Sequence, residues 1–132
     1  MAKFETEKDV KRDVKKLLNE FGWYWWMPAA NGYGKVGVSD FCALKDGVFI
    51  GIETKFGSRK PTAPQNLFLR SVEAQGGFGF VVNEKMLDDL RNWLEAFAES
   101  VKYISREEVP PAEKGALLID SVAVLTSLID RS

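Results

Sequence analysis

The sequence predicts an α/β (α+β) fold, a mixed central sheet flanked by helices in the order α-β-β-β-α-β-α, with a helical tail behind it. Three observations carry this expectation. Two stretches have apolar residues at helical spacing, an Asp46-Gly47 turn joins two strand-like runs, and a capped helical segment separates the second run from one more short strand. The 132 residues suit one folding unit over 1–99, with an extension over 100–132 that packs on it or on a second protomer.

The first helix starts at Thr6, a capping residue, and presents Val10, Val14, Leu17, Leu18 and Phe21 on one side. That i, i+4, i+7, i+8, i+11 spacing is an amphipathic stripe. The aromatic run Gly22–Ala29 reads as a strand ended by Pro28, and glycines crowd the loop Asn31–Gly37. Val38–Lys45 and Val48–Lys55 flank the Asp46-Gly47 dipeptide, the strongest short-range hairpin signal. Thr62 and Gln65 form a capping box with Pro64 in the first turn. Phe68, Leu69 and Val72 give that helix its buried side, and Gly76-Gly77 stops it. Phe78–Val82 is the last strand, and Met86, Leu87, Leu90, Trp93, Leu94 and Phe97 mark a second strongly amphipathic helix. Past Pro110-Pro111, Leu118, Val122, Leu125 and Ile129 recur at helical spacing.

Composition narrows the chemistry. Net charge is −1, so any basic surface is local. No apolar run approaches the ~20 residues of a membrane span, and the charged N-terminus lacks a signal-peptide core, so a cytoplasmic protein is expected. The chain has one cysteine and no histidine. Imidazole metal sites, histidine bases and an internal disulfide are excluded, and catalysis in this chain has to use carboxylates, lysine or hydroxyls. Cys42 is read as packing, because a thiol nucleophile here lacks its usual activator.

The hairpin then poses a question of placement. A two-residue turn at Asp46-Gly47 puts Lys45 opposite Val48, and counting back puts Asp40 opposite Glu53. Facing Cβ atoms lie roughly 4.5–5.5 Å apart, and Lys55 shares their face by strand alternation. Phe41, Ala43, Val48, Ile50 and Ile52 take the other face. Two carboxylates ~4 Å apart repel by roughly 4 kcal/mol at an effective dielectric of ~20. They therefore raise a pKa or call for a cation: Lys55 in part, a divalent metal more fully. Oxygen ligands without histidine or thiolate suit Mg²⁺ or Mn²⁺. The bland alternative is a solvated salt-bridge set, which the neighbours Cys42, Phe49 and Gly51 make a poor fit. Glu7 lies on the buried stripe of the first helix, although dipole stabilisation explains it equally and Glu5, Asp9 and Asp13 could serve. Gln65 lines up with Phe68, Leu69 and Val72, facing the sheet, with the capping box as its other role.

These residues resemble a known family. Gly37-x-Ser39-Asp40-Phe41, Gly47-x-Phe49-Ile50-Gly51-Ile52-Glu53-Thr54-Lys55, Thr62-x-x-Gln65 and Gly76-Gly77 look like the PD-(D/E)XK nuclease superfamily, nearest its small VRR-NUC branch of stand-alone phage and bacterial proteins. The likeness covers about residues 5–83. It implies a restriction-endonuclease-like core, Mg²⁺-dependent hydrolysis of DNA, and a bacterial or phage-infected cell as the setting. It further implies Glu7, Asp40, Glu53 and the Thr54 carbonyl as the metal-site residues, Glu7 being the acid at the start of the first helix, with Lys55 as the charged group beside the attacking water and Gln65 as the glutamine of the following helix. Ser39 stands where the family expects proline, which touches local geometry and not chemistry. Lys35, Arg59, Lys60 and Arg70 are candidates for backbone phosphates, and Tyr33 for stacking on a splayed base. Trp23, Trp25 and Trp26 read as core or dimer-interface aromatics. The family suggests junctions, flaps or other branched DNA as substrates, and a homodimer would suit them. The competing expectations are a non-catalytic DNA-binding module or accessory subunit of a larger complex, and a structural protein whose hairpin charges are merely exposed.

Overall fold

The computed structural model describes residues 5–29 and 36–106, with side chains to residue 102. Tyr33, Lys35 and the tail stripe from Leu118 to Ile129 lie outside the described residues. The element order is α1 (Glu7–Glu20), β1 (Tyr24–Trp26), β2 (Phe41–Lys45), β3 (Val48–Thr54), α2 (Ala63–Ala74), β4 (Phe78–Val82) and α3 (Leu87–Arg106). This is the expected α-β-β-β-α-β-α order. Among the described residues no helix is long and apolar enough to cross a membrane.

The four strands lie in the order β1-β2-β3-β4, antiparallel except for the parallel β3–β4 pair. A parallel pair needs a crossover, and α2 supplies it. The register of the hairpin is the one counted from its turn: Lys45 faces Val48 and Phe41 faces Ile52. Asp46 and Gly47 both have positive φ, 51° and 80°, as a turn matched to strand twist requires. β3 stops one residue short of the expected Lys55, and two strands are markedly shorter than the sequence suggested. β1 keeps only Tyr24–Trp26, and β2 begins at Phe41 because Ser39 and Asp40 form a bend instead of ladder pairs.

The apolar stripes assemble the core on one face of the sheet. Val10, Val14, Leu17 and Leu18 of α1 join Leu90, Trp93, Leu94 and Phe97 of α3 over Phe41, Ala43, Ile50, Ile52, Phe78 and Phe80. Phe41, Phe80 and Phe97 are fully buried, and each such side chain contributes roughly 1.5–3 kcal/mol. Trp93 packs against Phe78 and Phe80 of β4, while Phe97 reaches Trp23 at the other end of the sheet. Trp23 is thus a core residue and Trp25 half-buried, whereas Tyr24 and Trp26 stand exposed on the edge strand. α3 runs continuously through the expected division at residue 99.

α2 covers the opposite face, and it comes unusually close. A Cβ at Gly79 would meet the Cβ of Leu69 at 3.0 Å, and one at Gly51 would meet Ser39 Oγ at 3.0 Å. The two glycines face each other across β3 and β4. They let Leu69, 4% exposed, seat directly on the sheet. The polar end of the hairpin is left open beside this packed helix.

Candidate active site

The site forms where the β2–β3 ladder runs out. Asp40 precedes the first ladder pair, and its backbone N–H donates to Glu53 Oε1 at 3.1 Å. Asp40 Oδ2 accepts from the Thr54 N–H at 2.8 Å and from the Thr54 hydroxyl at 2.6 Å. The bend at residues 39–40 explains this: once outside the regular ladder, Asp40 can pair with Thr54 through its side chain. Carboxylate acceptors form shorter and stronger bonds than neutral ones, which anchors the group firmly.

Glu53 is 1% exposed and Thr54 fully buried. Burial raises the Glu53 pKa to about 7, and the nearby Asp40 and Glu7 charges push the same way. Lys55 and the Asp40 N–H act against the shift but do not cancel it. The Lys55 ammonium lies 3.6 Å from Glu53 Oε2, on the face that strand alternation assigns to both. A buried carboxylate beside another acid is the arrangement that divalent cations relieve, and it is a mark of functional sites.

α1 closes the site from the other side. Glu7 stands in its first turn, and the acids around it have different employment. Asp9 accepts from the N–H groups of Glu5 and Thr6 and pairs with Arg12, which also holds Asp13. Glu7 instead pairs with Lys11, one turn on, at 3.3 Å, and Lys11 reaches Asp40 Oδ1 at 3.7 Å. Lys11 is the residue that the sequence reading missed. Its signal was available, since position i+4 from Glu7 places it on the same side of the helix.

The remaining candidates are placed as follows. Gln65 Oε1 accepts from the Thr62 N–H at 2.8 Å and the Gln65 N–H donates to the Thr62 hydroxyl, so the capping box forms. Arg59, Lys60 and Arg70 are exposed, Arg59 and Lys60 on the loop after β3 and Arg70 on α2. That loop is tied to the end of β4 by the Gly57 N–H donating to Glu84 at 2.9 Å. Ser39, 1% exposed, donates to the Phe41 carbonyl at 2.8 Å and so shapes the bend before β2. Burial pushes the Cys42 thiol up, away from nucleophilic use.

The donor chemistry fits a hard divalent cation. Asp40 and Glu53 offer oxygen only, and two carboxylates with water and a phosphate are a usual Mg²⁺ shell. Among the described residues no group of three or more acids, cysteines or histidines gathers as a metal cluster. Glu7 shares Lys11 with Asp40, and its charge also acts on Glu53. No protein-family model matches this chain and no curated protein is matched by it.

Proposed function

We propose that this chain is a Mg²⁺-dependent endodeoxyribonuclease that hydrolyses phosphodiester bonds, with branched DNA among its substrates. The observation that supports this reading best is the buried Glu53 carboxylate beside the half-buried Asp40, at the end of the hairpin away from its turn, with Lys55 against Glu53. The resemblance to the PD-(D/E)XK superfamily at the same residues points the same way. In this reading Asp40 and Glu53 hold the cation, with the Thr54 carbonyl as a third oxygen, and Mn²⁺ substitutes for Mg²⁺. A cation bound there would supply acidification of water and neutralisation of the scissile phosphate.

The chain's own groups do the rest. Thr54 fixes the Asp40 carboxylate through two hydrogen bonds, so its orientation is set before any ligand arrives. Lys55, beside two acids, serves as a fixed positive charge that orients the attacking water and steadies the phosphate, in preference to acting as a base. The water oxygen bonds to phosphorus as the P–O bond to the leaving sugar oxygen breaks, giving a phosphomonoester and a hydroxyl. Arg59, Lys60 and Arg70 contact backbone phosphates, which gives salt-sensitive binding without sequence reading.

The test is cleavage of end-labelled single-stranded, duplex, flap and four-way-junction DNA with Mg²⁺, Mn²⁺ or EDTA. Glu53→Ala and Lys55→Ala run alongside. Metal-dependent cutting lost in both variants supports the reading. Binding without cutting, unchanged in the variants, makes the chain a DNA-binding module instead.

A further inference from the structure

Each of the two carboxylates has one oxygen anchored and one opposed by an ammonium group. Asp40 Oδ2 is anchored by Thr54, and Oδ1 has Lys11 at 3.7 Å. Glu53 Oε1 takes the Asp40 N–H, and Oε2 has Lys55 at 3.6 Å. The oxygens left for a cation are therefore the two that lysines now face. Lys55 comes from the same strand as Glu53, and its side chain is 13% exposed. Lys11 differs. Its side chain is 29% exposed, and a second acceptor, Glu7 Oε2, already lies 3.3 Å from its Nζ.

We infer that Lys11 is a displaceable counter-ion, which holds Asp40 Oδ1 in the metal-free protein, competes with the divalent cation for it, and is retained by Glu7 when the cation enters. This rests on the metal-binding reading above and revises one part of it. Glu7 acts on the cation through Lys11 and is not itself a ligand. A long, partly solvated lysine can swing between two acceptors on neighbouring sites with little rearrangement of the backbone. Its charge near the cation opposes binding, so the protein's demand for divalent metal is set by a residue that touches neither the water nor the phosphate.

The test is Mn²⁺ binding to EDTA-stripped full-length protein by isothermal titration, with circular dichroism to show that each variant folds. Lys11→Met is expected to tighten Mn²⁺ binding about tenfold, the scale of one charge acting at several ångströms near solvent. A merely structural role would weaken it. Glu7→Gln is expected to weaken binding severalfold when Lys11 is present and clearly less in the Lys11→Met background, where only the direct charge effect of Glu7 on the site remains. Mn²⁺ binding to the unaltered protein with no tightening in Lys11→Met overturns this inference alone. Equal weakening by Glu7→Gln in both backgrounds makes Glu7 a ligand and overturns its assigned part. If the unaltered protein binds no Mn²⁺, the metal-site reading falls and the inference with it.

Discussion

Asp40 and Glu53 are joined through a backbone amide and not through their carboxylates: the Asp40 N–H donates to Glu53 Oε1 at 3.1 Å, while the Asp40 carboxylate serves Thr54. One acid thus works as scaffold, and the other sits buried with its charge only partly relieved by Lys55. Their substitutions should act in opposite directions.

For Glu53 the effect depends on pH. Its folded pKa of about 7 exceeds the ordinary 4.5, so between these values the folded protein holds a proton that the unfolded chain has released. Unfolding free energy therefore falls as pH rises through that window. Metal-free Glu53→Gln should match the unaltered protein near pH 4 and exceed it at pH 8 by about 1–3 kcal/mol. Urea denaturation in EDTA at the two pH values checks this. A variant less stable at pH 8 would contradict it.

For Asp40 the sign reverses. Asp40→Ala leaves the fully buried Thr54 N–H and hydroxyl without their acceptor, which costs about 1–3 kcal/mol. Asp40→Asn keeps an acceptor oxygen and should recover most of that loss. The same denaturation series, read at pH 7, separates the two.

Arg59 and Lys60 should be felt in salt dependence. Neutralising both is expected to reduce the slope of log K against log salt for DNA binding by about 1 per residue, uniformly across sequences. Fluorescence anisotropy on two unrelated duplexes at several salt concentrations would show it. An effect confined to one duplex would mean base reading.

Gly37 is held at φ 81°, and a Cβ there would lie 2.5 Å from the backbone of Pro64. Gly37→Ala should destabilise the protein by about 2–4 kcal/mol, through left-handed strain and displacement of the start of α2. Thermal denaturation measures it.

Much of this was legible in the sequence because turn chemistry fixes register. Asp46-Gly47 determined which residue of β2 faces which of β3, and the faces followed from alternation. The helical stripes were equally plain, since every apolar position named for α1 and α3 is at least partly buried against the core. What escaped was geometry at the ends of elements. Ser39 and Asp40 leave the ladder through hydrogen bonds to Phe41, Glu53 and Thr54 that no periodicity encodes. Lys11 escaped because a lysine on an exposed helix is ordinary until tertiary packing brings Asp40 to it. The Tyr24–Trp26 edge strand was overestimated in length because aromatic residues favour strands whether or not a partner continues.

The Thr54 amide has a further consequence, for how such chains diverge. A backbone donor buried at the end of β3 needs an acceptor whether or not DNA is ever cut, and residue 40 supplies it. On the proposed reading, a descendant that abandoned hydrolysis would still be held to an oxygen-bearing side chain there, whereas Glu53, buried where its charge is disfavoured, would be released to drift toward neutral residues. Across related chains an aspartate at position 40 therefore says that the hairpin end is intact. A glutamate at position 53 marks a buried acid kept at a cost to the fold.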